Sequence, residues 1–414
     1  MTPSSRTGLG AALPFAAALL LMLSVGASGY EIGHTSAAYT DPDRGDRSVP
    51  TEIFYPSDTP GDDVPIAAPP PGGFPVVAFG HGFLIPWDDY EYVWEGLVPE
   101  GYVVALPRTE QGLLPSHAEF GRDLAFVVRR LRIEGDDPGS LLFGALSDAG
   151  AVAGHSMGGG AALLGAAGDA TVTAVANLAA AETNPSAIAA ASGITAPALL
   201  FSGGVDCVTP PPDHQIPMYD ALASDCRTRI TIDGASHCQF AEYNFVCSLG
   251  EGACDDPTIT REEQHGLTIS LLEPWLGYAL GDDLWAWLDF QSLLETTSGI
   301  AYEQDCTPTS VDEPVTGLEP GDGNIALAPC SPNPFTRSTR VSFSLREAGR
   351  ISVRIYTPDG RLVKSLAERA YAPGPHVVLW DGRDRTGRRA ASGVYLCRVE
   401  SSGERELGSL VLIR

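Results

Sequence analysis

The sequence predicts an α/β protein built on a doubly wound, mostly parallel sheet, followed by a small all-β sandwich. Three observations support this. Nearly continuous apolar runs alternate with helical periodicity between Val49 and Leu294, as expected for strands covered on both faces. One such run, Ala149–Ala153, passes through Gly154-His155-Ser156-Met157-Gly158 into the small-residue stretch Gly159–Ala167, a strand, sharp turn and helix with one serine at the apex. Beyond a stretch rich in Pro, Gly, Thr and acids at 307–327, the texture changes to short alternating strands separated by turn signals.

The chain of 414 residues is long enough for two domains, and with 44% hydrophobic and 19% charged residues it can bury a full core. Its first 27 residues read as a signal peptide. Arg6 precedes the apolar stretch Leu9–Val25, and Val25-Gly26-Ala27 offers a small-residue cleavage site, so that the mature chain starts near Ser28. A membrane anchor is the alternative. Residues 28–306 then form the first domain, 307–327 a linker and 328–414 the second domain.

Within the first domain, Thr51–Tyr55, Pro75–Gly80, Tyr102–Leu106, Val172–Leu178, Ala198–Phe201 and Arg229–Ile232 read as strands. Phe120, Leu124, Val127, Val128 and Leu131 recur at helical spacing, and further helices are expected at Gln264–Leu280 and Leu284–Leu294. Repeated strand–helix units imply parallel strands with right-handed crossovers. In the tail, Val341–Leu345, Ile351–Tyr356, Val377–Trp380 and Val394–Val399 are the expected strands of the sandwich.

Charge and cysteine content narrow the function. The net charge of −26 is split unevenly, with −33 on residues 1–324 and +7 on residues 325–414. So acidic a first domain disfavours nucleic acid as a partner and repels anionic substrates. Eight cysteines in an exported chain favour disulfides, six of them falling between Cys207 and Cys306, and the absence of any CxxC pair argues against a zinc ribbon. No metal or organic cofactor is implied.

A serine hydroxyl near neutral pH needs a base, a group that orients the base, and donors for a developing oxyanion. In a doubly wound sheet these follow the serine in the order acid then histidine, on loops leaving the carboxyl ends of strands. Asp206 follows Ala198–Phe201 and His237 follows Arg229–Ile232, which makes Ser156, Asp206 and His237 the candidate catalytic residues. Asp213 or Glu182 are alternative acids, and His214 and His265 alternative bases. Main-chain donors are expected at Met157 and at Phe83 in His81-Gly82-Phe83. The Met157 side chain, Phe83, Trp87 and Tyr90 are expected to line an apolar substrate pocket.

These segments resemble a known group. Gly154-His-Ser-Met-Gly-Gly159, Pro197–Asp206 continuing to Thr209-Pro210, and Asp233-Gly-Ala-Ser-His237 are similar to the cutinase and polyester-hydrolase branch of the α/β-hydrolases. Arg47–Pro56, Phe74-Pro-Val-Val77 and His81-Gly82 are shared in style with chlorophyllase-like and platelet-activating-factor acetylhydrolase-like esterases. The resemblance covers Val49 to Leu280. It implies a secreted serine esterase with a small-molecule or polymeric ester as substrate, and the same three residues in the catalytic roles. A peptidase or amidase, or a non-catalytic surface-binding protein on this scaffold, remains open at this point. The chain departs from the pattern at Cys207 and Cys238, directly after the acid and base, and in a cysteine-bearing insertion from Gln239 to Asp256. Disulfides from both loops are expected to hold acid and base in register, with Cys207 and Cys238 pairing with each other or with Cys226, Cys247 or Cys254.

In the tail, Ser331-Pro-Asn-Pro-Phe335, Ile355–Arg361, Trp380–Asp384 and Ala391–Tyr395 resemble the FlgD-type immunoglobulin-like domain and the C-terminal sorting domains of type 9 secretion. The resemblance implies export or surface attachment, through secretion machinery or the cell surface, and no catalysis. Cys330 and Cys397 are expected to pair across its first and late strands.

Overall fold

The computed structural model describes residues 29–281, 283–306, 323–336, 338–401 and 404–413. The expected signal peptide and the stretch 307–322 of the expected linker lie outside these residues.

The first unit runs β1 (Glu31–Asp41), β2 (Arg47–Ser57), β3 (Gly61–Asp62), β4 (Phe74–Gly80), α1 (Glu91–Leu97), β5 (Val103–Pro107), α2 (His117–Asp136) and β6 (Leu146–His155). It continues with α3 (Met157–Ala166), β7 (Ala174–Leu178), α4 (Ala187–Ala191), β8 (Ala198–Gly203), α5 (Gln215–Ala221) and β9 (Cys226–Ile232). After these come α6 (Phe245–Gly250), α7 (Arg261–Gly281), α8 (Leu284–Thr296) and β10 (Ile300–Cys306). The ten strands form one sheet in the order β10-β9-β8-β7-β6-β4-β5-β2-β1-β3. From β9 to β5 every neighbouring pair is parallel, whereas β2, β1 and β10 add antiparallel flanks. The chain lays down β4, moves to β5 on one side and returns to β6 on the other. The order therefore reverses between β4 and β6, and a crevice opens there at the carboxyl ends of the strands.

The apolar strand runs have a direct cause. Along β4, Val76 and Ala78 face one core with Phe120, Leu124 and Val128 of α2, while Val77 and Phe79 face another with Leu271, Trp275 and Leu276 of α7. Along β5, Val103 and Ala105 divide from Val104 and Leu106 in the same way. A strand buried on both faces has no position for a polar residue. Two flanking strands did not stand out in the sequence. Glu31–Asp41 pairs with Arg47–Ser57 over eleven residues, and Ile300–Cys306 pairs with β9, but both are half exposed and carry charged or small residues.

The second unit comprises β11 (Ile325–Leu327), β12 (Thr339–Leu345), β13 (Gly349–Tyr356), β14 (Leu362–Tyr371), β15 (Gly374–Trp380), β16 (Gly393–Ser401) and β17 (Glu404–Leu412). Two antiparallel sheets, β11-β12-β15 and β14-β13-β16-β17, enclose a core of Val341, Phe343, Ile351, Val353, Ile355, Trp380, Val399 and Leu410. This is the expected sandwich. It begins slightly earlier than expected, because Ile325–Leu327 pairs with β12 although three residues are too few to show alternation. The expected Cys330–Cys397 disulfide is corrected: both are free, buried thiols that contact each other through a side-chain hydrogen bond.

Helices α2 and α3 lie on one face of the sheet and approach closely at two glycines. A Cβ on Gly121 would sit 2.5 Å from the Ala161 carbonyl oxygen, and one on Gly165 would sit 2.2 Å from that of Gly121. Side chains there force the helices apart. Gly165→Val is expected to lower unfolding free energy by about 1–3 kcal/mol in a urea titration, and an unchanged midpoint would show that the close crossing is dispensable.

Candidate functional site

The crevice between β4 and β6 is where the sequence places its serine. Gly80 and Gly154 are register partners at the ends of the two strands, and α3 starts immediately after. A Cβ on Gly158 would lie 2.1 Å from the Gly80 oxygen, and one on Gly154 would lie 2.5 Å from the Gly158 carbonyl carbon. Only bare backbone fits. The chain turns through Ser156 at φ 53° and ψ −117°, a region costly for a non-glycine residue, and three main-chain bonds hold it there. Ser156 N–H donates to Leu178 O (3.0 Å), and Ser156 O accepts from Gly160 N (3.1 Å) and Ala181 N (2.8 Å).

Ser156 Oγ lies 2.9 Å from His237 Nε2, and His237 Nδ1 lies 2.9 Å from Asp206 Oδ2. An ionised carboxylate only accepts, so Nδ1 carries the proton and donates to Asp206, leaving Nε2 to accept from the serine hydroxyl. All three residues are buried, at 8%, 2% and 6% exposure respectively. Burial favours the neutral Asp206 carboxyl, but hydrogen bonds from His237 and Thr209 outweigh it and hold the group below the ordinary carboxylate range. Asp206 Oδ1 accepts from Val208 N and Thr209 N at 2.8 Å each. Thr209 Oγ1 donates to Oδ2 at 2.8 Å and sits 3.0 Å from His237 Nδ1.

Each member of the trio stands on a loop at the carboxyl end of a strand: Ser156 after β6, Asp206 after β8, His237 after β9. Glu182, His214 and His265 are engaged elsewhere. Glu182 Oε2 accepts from Ile188 N at the start of α4, His214 Nδ1 accepts from Glu182 N, and His265 stacks on Tyr92 at 3.6 Å. Among the described residues, neither Phe83 N–H nor Met157 N–H donates a hydrogen bond, which leaves both free for an incoming oxygen.

The expected apolar pocket lining is corrected in two places. Tyr90 is fully buried, and its hydroxyl bonds to Gly82 N and His155 Nδ1. The Met157 side chain is 4% exposed and packs in the core with α2. Trp87 stands against the stacked rings of Phe54 and Trp94. Phe83 is 44% exposed and does face outward. Apolar side chains instead sit on the loops around the crevice: Leu113 and Leu114 after β5, Val208 after β8, and Tyr243, Phe245 and Leu249 after β9 are all exposed.

Two further residues hold these loops, and neither is singled out as a site residue by the sequence. Thr209 belongs to an Asp-x-x-Thr turn, a local signal for side-chain to main-chain bonding. Gln264 of α7 accepts from Ser236 N (3.1 Å) and donates to Ser236 O (2.9 Å), fixing the loop one residue before His237. No sequence pattern announces such a tertiary contact.

The insertion after His237 touches the Asp206 loop, the His237 loop and the loop after β4. Cys238–Cys247 and Cys207–Cys254 tie α6 and its flanks to the base and acid loops, while Cys226–Cys306 joins β9 to β10. The pairing expected for the acid and base loops is thus realised through the insertion and not between Cys207 and Cys238. Cys238 N donates to Glu251 Oε1 (2.7 Å), and Arg261 reaches the carbonyls of Cys238 and Ala241. Toward the loop after β4, Asn244 Nδ2 donates to Asp89 Oδ2 at 3.0 Å and Glu242 N to Asp89 O.

Residues 50–250 match the family model described as PET hydrolase-like, a span that includes Ser156, Asp206 and His237. Residues 332–404 match the FlgD Ig-like domain model. No curated protein matches the chain.

Burial also sets the acid sensitivity of the unit. Desolvation lowers His81, His155 and His214, and pushes His265 down to about 4. A histidine held neutral in the fold binds its proton only after unfolding, so the stabilisation is complete above the ordinary value of 6.5 and lost as pH falls toward the folded value. The melting temperature is expected to drop steadily from pH 7 to pH 4.5 in differential scanning fluorimetry, and a flat profile would contradict the burial of these rings.

Proposed function

We propose that this protein is a secreted serine hydrolase that cleaves carboxylic esters through an acyl-enzyme, with residues 28–306 as its catalytic domain. The observation that carries the reading is the continuous hydrogen-bonded line from Ser156 Oγ through His237 to Asp206 at a strained strand-to-helix turn. The PET hydrolase-like family match supports an ester as the bond attacked.

In this reading His237 Nε2 takes the hydroxyl proton as Ser156 Oγ attacks the ester carbonyl carbon. The carbonyl oxygen becomes an oxyanion held by the N–H groups of Phe83 and Met157, and the positive end of α3 adds to its stabilisation. Collapse of the adduct breaks the bond to the alcohol, which leaves with the proton from His237. Water then repeats the sequence in reverse: His237 removes its proton, hydroxide adds to the acyl carbon, and Ser156 departs reprotonated with the free acid. Asp206 keeps the imidazole in the required tautomer and stabilises the imidazolium formed twice per cycle.

The loops around the crevice favour uncharged substrates. Segments 82–89, 109–116, 204–213 and 239–256 contain carboxylates and no lysine or arginine, alongside the exposed apolar side chains. A neutral acyl or aryl ester fits such a rim, and an anionic lipid or phosphorylated ligand does not. The C-terminal sandwich, with its own core and opposite charge, is proposed as a module for sorting or surface attachment.

Ser156→Ala is expected to keep the fold by circular dichroism while lowering p-nitrophenyl ester turnover by about 10⁴-fold or more and abolishing fluorophosphonate labelling. Retained turnover, or faster cleavage of matched anilides than esters by the intact protein, would refute the ester-hydrolase reading. The double substitution Cys238→Ser with Cys247→Ser is expected to reduce kcat by up to about 100-fold through loosening of the His237 loop. Unchanged kcat would show that the insertion plays no part in holding the base.

A further inference from the structure

Tyr90 and His155 take no part in the proposed proton transfers, yet both are buried, His155 beside His237 and Tyr90 beside the Gly82 amide. Tyr90 lies in the 3₁₀ turn Trp87–Tyr90, packed on Phe79, with its hydroxyl 2.8 Å from Gly82 N and 2.9 Å from His155 Nδ1. One direction is fixed and the other follows from the proton count. A main-chain N–H can only donate, so the phenol oxygen accepts from Gly82; its own proton finds an acceptor when it is directed at His155 Nδ1. In that arrangement the His155 proton sits on Nε2, and the ring lies 4.7 Å from the His237 ring at an interplanar angle of 44°.

Gly82 is the residue before the proposed oxyanion donor Phe83, and the peptide planes on both of its sides are pinned. Tyr90 holds the plane containing Gly82 N–H. The plane containing Gly82 C=O and Phe83 N–H is held through that carbonyl, which lies 2.9 Å from His81 Nδ1 and accepts from Ile85 N at 3.2 Å. The other His81 nitrogen is anchored 2.9 Å from Thr109 O. A Cβ on Gly82 would meet Tyr90 Oη at 3.1 Å and His155 Nδ1 at 3.2 Å, so the three groups are mutually fitted. A phenylalanine would fill the same volume but leave the buried Gly82 N–H and His155 Nδ1 without a partner, so the hydroxyl does more than pack.

We propose that Tyr90 and His155 are positioning residues, forming a strut that runs from the Gly82 N–H to the face of the His237 ring and keeps oxyanion donor and general base in register. The inference rests on the serine-hydrolase reading above. An oxyanion hole contributes fully only when its donors lie about 2.7–3.1 Å from the oxygen they stabilise, so a small rotation of the 82–83 peptide weakens the transition state more than substrate binding.

The test is Tyr90→Phe, assayed on p-nitrophenyl acetate, with phenylboronic acid as a probe of the tetrahedral adduct and the melting temperature recorded alongside. The expected result is kcat lower by roughly 10- to 100-fold, KM within twofold, and phenylboronic acid affinity weakened in step with kcat. The melting temperature should change by only a few degrees. His155→Asn, which keeps an acceptor near the Nδ1 position, should retain more of kcat than His155→Leu. A Tyr90→Phe protein with kcat and boronic acid affinity both within twofold of the parent overturns the strut. So does loss of activity only in proportion to the unfolded fraction. If the parent protein itself neither hydrolyses the ester nor binds the boronic acid, the serine-hydrolase reading fails instead, and the two failures are told apart.

Discussion

Where β4, β6 and α3 meet, three backbones approach so closely that no side chain fits between them. Gly80, Gly154 and Gly158 occupy that junction, and Gly160 continues it, since a Cβ there would lie 2.2 Å from Ala181 O. This contact fixes the remainder of the site. It makes the chain reverse within one residue, so Ser156 carries the unfavourable dihedrals. It brings the unpaired amides at the start of α3 beside the loop leaving β4, so donors from two distant parts of the sequence face one crevice. The strain at Ser156 is held by three main-chain hydrogen bonds, and the cost falls on a rigid junction between sheet and helix.

The rest of the site is stabilised from outside that junction. Asp206 is buried but satisfied by four donors, and His237 is gripped through its neighbours: Gln264 on Ser236, Arg261 on Cys238 O and a disulfide at Cys238. The insertion after β9 connects the acid loop, the base loop and the turn at Asp89. A serine on a rigid elbow and a histidine on a long loop pose different problems. The glycine contact solves the first and covalent stapling the second.

Much of this was legible in the chain because topology limits the choices. Once a serine sits at a strand–turn–helix in a doubly wound sheet, its partners must lie at the carboxyl ends of later strands, and Asp206 and His237 are at such ends. The runs at Val76–Phe79 and Ala151–Ala153 announced strands because both faces of the central sheet are covered. What escaped was of two kinds. The flanking strands β1 and β10 are exposed on one side and lack a clear period. Thr209, Gln264 and Tyr90 act through contacts across 3 to 28 residues or between loops, and an aromatic beside a glycine loop reads equally as pocket wall or buried strut. Tyr90 was the second, and the same ambiguity misplaced the Met157 side chain. Likewise, two cysteines in one small sandwich suggested a bridge that the buried, free Cys330 and Cys397 do not form.

The cysteine connectivity also bears on how the chain assembles. Cys207–Cys254 and Cys226–Cys306 interleave along the sequence, with Cys238–Cys247 nested inside both. A chain emerging from its amino end presents Cys207 and Cys226 to an oxidant first, and these two are not partners. Only Cys238–Cys247, separated by nine residues, is a local pair. The final link waits for β10, the last strand of the sheet, to dock beside β9. Oxidation that runs ahead of folding therefore traps the wrong bridge, and thiol–disulfide exchange must undo it before the acid and base loops can be locked together.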